Sequence, residues 1–149
     1  DGALPSGSGV AVETLLRLGQ HLDAADLTDP ALRTLTAYRP LAEQAQSAFA
    51  SLLVGAELAA ESAVQVAVVA ERRDADSDAL LAEVRNRYLS NRVISFATAA
   101  DDTRGLPMLQ GKGSLDGTAT AYVCRDYVCD APTTDPEVLG RALDARRNP

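Results

Sequence analysis

The apolar pattern of this chain changes period at Val64, and that change limits the fold more than any other feature. Ahead of it, apolar side chains recur at helical spacing. Val64-Gln-Val-Ala-Val-Val-Ala70 is instead a short run of β-branched and small residues, the composition that fills a buried strand. Helical and strand periods then alternate to the carboxyl end. The chain is therefore expected to be of mixed α/β class, with its helices concentrated in the first part.

Before Val64 the pattern predicts an antiparallel helical hairpin over residues 1–62. Val12, Leu15, Leu16, Gly19 and Leu22 share one face of a helix over 8–23, with Ser6 or Ser8 as its cap. Asp29-Pro30 reads as a second start, a cap followed by proline at the first helical position, giving a helix over 30–38. Pro40 removes a donor and disfavours helical geometry at Arg39, so a break is expected there. Leu41, Ala45, Ala48, Phe49, Leu52 and Leu53 form the next stripe. Gly55 ends it, with one loose turn over 56–62. Gly7 and Gly9 ahead of the first helix suggest a phosphate cradle. A dinucleotide fingerprint would need glycine where Val12 stands, and the Gly-Lys-Ser/Thr ending of a P-loop is absent. His21, the sole histidine, falls at the carboxyl end of that helix, where the helix dipole favours its charged form.

After Val64, Asp74, Asp76 and Asp78 open a helix with Leu80, Leu81, Val84 and Tyr88 on one side and Arg85 and Arg87 near its end, charges that suit the dipole. A calcium loop would need glycine at Ala79 and glutamate at Arg85. Arg92–Thr98 is the next strand, completing a strand–helix–strand unit that closes as a parallel crossover. Residues 99–117 form a long loop, of a length that is often functional or mobile, and its Leu106, Met108 and Leu109 are expected against the core. Thr118–Val123 alternates with period two and makes a third strand. Asp135-Pro136-Glu137 starts a closing helix with Val138, Leu139, Ala142 and Leu143 inward, and with Arg146 and Arg147 at its end. The expected architecture is a helical hairpin over 1–62 and a small α/β unit over 63–149, packed as one domain. The α/β unit would hold a mainly parallel three-stranded sheet with flanking helices.

Composition narrows the function. With 149 residues, 46% of them hydrophobic, the chain can bury roughly two-thirds of its unfolded surface. Fourteen basic against 21 acidic residues give a net charge of −7, which repels phosphate backbones and anionic lipid and argues against nucleic-acid or membrane partners. No apolar run reaches the length of a spanning helix, and the amino end lacks a signal-peptide pattern; a cytoplasmic protein is expected. No cofactor motif is present. The chain starts at Asp1-Gly2 without methionine and reads as a piece of something longer.

The one compact cluster of reactive side chains is Thr120-Ala-Tyr-Val-Cys124-Arg-Asp-Tyr-Val-Cys129-Asp-Ala-Pro132. Three roles are open to Cys124 and Cys129. They can be reduced, partly buried thiols that pack as small hydrophobes. They can act in redox chemistry or form a disulfide, if the strand turns back to bring their α-carbons within about 7 Å; Arg125 would favour the thiolate, and Asp126 and Asp130 would oppose it. Structural zinc needs four ligands, and this pair with distant His21 supplies three, so no metal is expected.

Asp1-Gly-Ala-Leu-Pro-Ser-Gly-Ser-Gly followed by Val-Ala-Val-Glu-Thr-Leu-Leu-Arg-Leu18 resembles the last toroid segment of the thioredoxin domain-containing proteins, which include the spermatogenesis-associated thioredoxin-like proteins. Val66–Ala70, the segment through Arg87-Tyr-Leu89 to Asn91, and Ala121-Tyr-Val-Cys-x4-Cys-x2-Pro132 follow the same family order. Residues 54–63 are shorter than the family's corresponding segment. The resemblance implies an upstream thioredoxin-like domain and an α/α toroid similar to sugar epimerases and glycosidases, both absent from this chain, as its natural partners. It places Asp1, Ser6 and Ser8 near the mouth of a sugar-type cavity. A carbohydrate enzyme needs carboxylates paired across its cavity, and most of the toroid helices that would supply them lie outside these residues. The expected function is a non-catalytic carboxyl-terminal module. The alternative is a contribution to catalysis, as a Cys124/Cys129 thiol relay or as one wall of a carbohydrate cavity.

Overall fold

The computed structural model describes residues 1–61, 63–125 and 128–145. They form a mixed α/β fold of five α-helices and a four-stranded sheet, in two compact units, Asp1–Ser62 and Ala63–Pro149.

The first unit is helical. Helix α1 (Gly7–Leu22) starts where Ser6 Oγ accepts from Gly9 N at 3.1 Å, and it stops at Asp23, whose φ of 50° puts the chain in the left-handed region. Helix α2 (Ala25–Gln44) differs from expectation, for it begins before Asp29-Pro30 and runs through both Pro30 and Pro40. Each proline removes the donor that the carbonyl four residues earlier would receive. Those carbonyls belong to Asp26 and Thr36, both exposed, so neither freed acceptor is buried. Inward-facing Ala31 and Ala42 hold the helix in place on either side. The break falls at Ala45 instead, followed by a 3-10 turn over Gln46–Phe49 and helix α3 (Ala50–Ala60).

Gly55 therefore sits inside a helix and does not end one. It is buried, and a β-carbon there would lie 2.5 Å from Val12 Cγ1. Gly9 likewise lets α1 approach Ser51 of α3, where a β-carbon would meet the backbone carbonyl carbon at 2.9 Å. Helix α1 packs on both α2 and α3 around Val12, Leu16, Ala31, Leu52 and Leu58, with the Tyr38 and Phe49 rings 6.0 Å apart at the margin. The expected hairpin is thus a three-helix unit.

In the second unit, β1 (Val64–Ala70) is central. It leads through α4 (Ala75–Arg85) to β2 (Arg92–Thr98), which pairs with it in parallel from Val64↔Arg92 to Ala70↔Thr98. On the other side β3 (Thr120–Arg125) pairs with β1 antiparallel, Val66 opposite Val123, and the two-residue β4 (Val128–Cys129) pairs antiparallel with β3. The order is β2-β1-β3-β4. The sheet is thus mixed, with one parallel pair and a strand more than expected. A third parallel strand would need another crossover of the βαβ kind; the chain returns instead through a loop with one 3-10 turn, Pro107–Leu109.

Val66, Val68 and Ala121 on one sheet face close over Leu80, Val84, Leu139 and Leu143 of α4 and α5 (Pro136–Ala145). Ala67 and Ala97 on the other cover Leu109, while Met108 packs with Val93, as the loop reading anticipated. The start of α4 is a capping box, Asp74 Oδ1 accepting from Ser77 N at 3.0 Å and Ser77 Oγ accepting from Asp74 N at 2.9 Å. At its end the Arg92 guanidinium donates to the carbonyls of Val84 at 3.1 Å and Arg87 at 2.7 Å. Because α4 stops at Arg85, Tyr88 lies beyond the apolar stripe and is 79% exposed; Leu89 packs on the core in its place. Arg87 bridges Glu83 and Asp144, joining α4 to α5. Arg146 and Arg147 lie outside the described residues. Among the described residues no helix is long and apolar enough to cross a membrane.

Candidate functional site

Three places carry chemistry. At the first, the β3–β4 register sets Cys124 opposite Cys129 with α-carbons 3.9 Å apart, and the two are joined in a disulfide. The turn-back that the pairing required is therefore made, and sulfurs bonded to each other are not thiolate ligands for zinc. Cys124 is buried at 5% exposure, whereas Cys129 is exposed on the sheet's border. Beyond β4, Asp130 N donates to Val123 O at 2.9 Å, and Ala121 and Thr133 exchange backbone hydrogen bonds of 2.8 and 3.0 Å. Between the Cys124↔Cys129 and Ala121↔Thr133 pairs the outer segment carries one residue more than β3, which is the arrangement of a β-bulge. Pro132 falls in that extra length, where its missing N–H breaks no ladder. Asp126 lies outside the described residues.

At the second place, Asp1, Ser6 and Ser51 converge. The Asp1 carboxylate accepts from Ser6 N at 2.6 Å, from Ser51 N at 2.6 Å and from the Ser51 hydroxyl, and Asp1 N donates to Ala48 O. Ser6 and Ser51 hydroxyls are 3.1 Å apart. Helix α3 has Phe49 at its N-cap position, which supplies no capping side chain, so Asp1 provides the acceptor from fifty residues away. Ser8 stands exposed in the first turn of α1, outside this network. His21 is half-buried, and burial lowers its pKa below the ordinary histidine value, opposite to the shift expected from the helix dipole. The cause is desolvation of the imidazolium by burial.

The third place was not singled out from the sequence beyond the length of the loop over 99–117. A cleft of about 250 Å³ lies at the carboxyl ends of β1 and β2, the edge where open α/β sheets hold ligands. Val69, Ala97 and Leu109 give it an apolar floor; Glu71, Asp101, Lys112 and Ser114 give it a polar rim. Asp101 accepts from the Thr98 N–H at 2.7 Å and from its hydroxyl at 2.8 Å, bonds that hold its carboxyl below the usual range. Glu71 accepts from Ser114 Oγ at 2.5 Å. Tyr122 Oη donates to Gly113 O at 2.8 Å and accepts from Gly113 N at 3.3 Å, which pins the loop, and the Lys112 ammonium sits 5.8 Å from the Tyr122 ring centre. One signal was legible in the sequence, since Lys112 is the only lysine among the chain's 14 basic residues. Gly111 beside it has a φ of 69°, in the region that favours glycine.

No family profile matches the chain, and no solved structure matches it. Among curated proteins it is similar to spermatogenesis-associated protein 20 of human, 30% identical over 146 residues, and to the mouse and rat proteins of the same name, each 27% identical over 146 residues. The matches take in 96% of this chain and 18–19% of each relative. The chain thus corresponds to about a fifth of the larger proteins it resembles.

Proposed function

We propose that this chain is the carboxyl-terminal, non-catalytic module of a larger cytoplasmic protein, and that its helical unit closes against helices that precede it. The observation that carries this reading is the apolar surface left on that unit. Val10, Leu18 and Leu22 of α1, Leu32 and Leu41 of α2, and Leu53 and Val54 of α3 are all 39–52% exposed. On α1, Val10 and Leu18 fall away from the face formed by Val12, Leu16 and Gly19, and Leu22 lies at its carboxyl-terminal border. Exposed apolar side chains on all three helices leave places for another element to pack, and relatives about five times longer supply the chain to do so. On the family resemblance, that element is an α/α toroid following a thioredoxin-like domain. Hydrogen exchange on the 149-residue chain and on the full-length protein tests this. Protection of α1 and α2 should rise in the longer protein, and Leu18→Glu with Leu41→Glu should lower the longer protein's Tm. Equal exchange in the two contexts would overturn the proposal.

The disulfide favours a second reading, a thiol relay. Cytoplasmic disulfides are uncommon unless they turn over, and here Cys129 is an exposed residue and Cys124 a buried one. A thiolate of a dithiol donor would attack Cys129 Sγ, and Cys124 would leave as a thiolate and take up a proton. The donor's second thiol would then resolve the mixed disulfide. The donor ends oxidised by two electrons, and the chain ends with two thiols. Attack on the intact disulfide by a Cys-x-x-Ser peptide, which has no second thiol to resolve the product, should leave a mixed disulfide at Cys129 and a free thiol at Cys124, and tests the relay. Trapping no faster than with 2-mercaptoethanol would count against it.

A further inference from the structure

We propose that the cleft at the carboxyl ends of β1 and β2 binds a small amino acid as its zwitterion, an activity separate from any role of the helical unit. Its volume of about 250 Å³ lies just below that of drug-sized sites and suits a small metabolite. The rim carries charges of both signs on one small perimeter, Lys112 against Glu71 and Asp101. Among the described residues Lys112 forms no ion pair; its ammonium rests by the Tyr122 ring. The neighbouring carboxylates are already engaged with neutral groups, Asp101 with Thr98 and Glu71 with the Ser114 hydroxyl.

A ligand carboxylate on Lys112 and a ligand ammonium on Glu71 would complete both charges, and Ser114 would remain as a hydroxyl partner. A simple anion would satisfy Lys112 while facing two carboxylates, and a simple amine would do the reverse. The zwitterion meets both signs of the rim at once, and an aliphatic side chain would meet Val69, Ala97 and Leu109 on the floor. The support for Lys112 is built in: Tyr122 fixes Gly113 through both its backbone groups, so the lysine is presented by a pinned loop and its position costs little further ordering.

The test is a titration of the 15N-labelled 149-residue chain with L-alanine and L-valine, with L-lactate and ethanolamine as probes of one charge each. Saturable amide shifts are expected at Thr98, Ala99, Gly111 and Gly113. Either singly charged probe should bind roughly two- to fivefold more weakly, the worth of one partly exposed charge pair. Lys112→Met and Glu71→Gln should each weaken binding by a similar factor, with the rest of the spectrum reporting that each variant is folded. Absence of saturable shifts overturns the proposal. So does lactate binding as tightly as alanine, which would mark an anion site only, or an affinity left unchanged by Lys112→Met.

Discussion

Asp1 and Ser51 are fifty positions apart, and the carboxylate of the first receives both the backbone N–H and the hydroxyl of the second. The contact caps a helix whose own N-cap residue, Phe49, has nothing to offer. Replacing Asp1 with alanine should cost about 1 kcal/mol, the usual worth of a cap, and Asp1→Asn should retain part of it. Urea unfolding of the two variants measures the difference; equal midpoints for wild type and Asp1→Ala would show that the clasp contributes nothing.

The glycines of the helical unit give a ranking. Gly9→Ala sets its new carbon 2.9 Å from the backbone of Ser51, while Gly55→Ala meets the end of the Val12 side chain at 2.5 Å. Backbone cannot rotate away and a valine methyl can. We expect Gly9→Ala to destabilise by about 1–3 kcal/mol. Both substitutions gain helix propensity, by up to about 1 kcal/mol, and Gly55→Ala should cost less because only there can the opposing group rotate away. Thermal melts of both should order them this way.

His21 sets a pH dependence near neutrality. Its folded-state pKa is lowered by burial, so between that value and the ordinary histidine value the unfolded chain binds more protons. Stability is therefore full above about pH 6.5 and declines as pH falls toward the folded pKa. His21→Gln should flatten the stability profile between about pH 7 and 5. An unchanged slope would assign the effect to other groups.

A lower window belongs to Asp74 and Asp101. The Ser77 backbone bond is the chief cause of the Asp74 shift and the Thr98 backbone bond that of the Asp101 shift, and both carboxyls are lowered. Their contribution is present above the ordinary aspartate pKa, about 3.9, and is lost as pH falls through the folded values. Acid unfolding of Asp74→Asn, which keeps a competent cap, should be less steep below about pH 4 than that of wild type.

The disulfide closes a short loop. The chain-entropy relation for a closure of this length gives about 2 kcal/mol, so Cys124→Ala with Cys129→Ala should lower stability by that order. Thiol counting should find none in the native chain and two after reduction; two reactive thiols before reduction would contradict the pairing.

Much of this fold was legible in local pattern. The switch at Val64, the strand at Arg92–Thr98 and the cap at Asp135 follow from period and capping residues alone, and helix α1 falls within one residue of its expected bounds. The misreadings came where packing overrode local preference. Pro30 and Pro40 stay helical because the carbonyls they orphan are exposed, and Gly55 stays helical because Val12 needs the space. Tyr88 went astray because the Arg92 side chain, arriving from β2, helps close α4 before it. Cys124 and Cys129 could be named from sequence, but their pairing depended on a register set by β4. The cleft was hidden for the same reason: Glu71, Asp101 and Lys112 come from separate segments, and only the parallel pairing of β1 with β2 brings those segments to one rim.

The two borders of the sheet are unlike. Along β3 the border is closed by a cross-linked hairpin, then by the bulge and the Ala121–Thr133 pair. Along β2, the far border, Asp101 occupies the Thr98 N–H at the strand's end, and among the described residues no strand pairs alongside Ile94 and Phe96. Hydrogen-bonding groups that point outward there form a template for strand addition. The sheet is consequently unequal at its two borders, with a two-residue strand and a bulge on the disulfide side and the full length of β2 on the other.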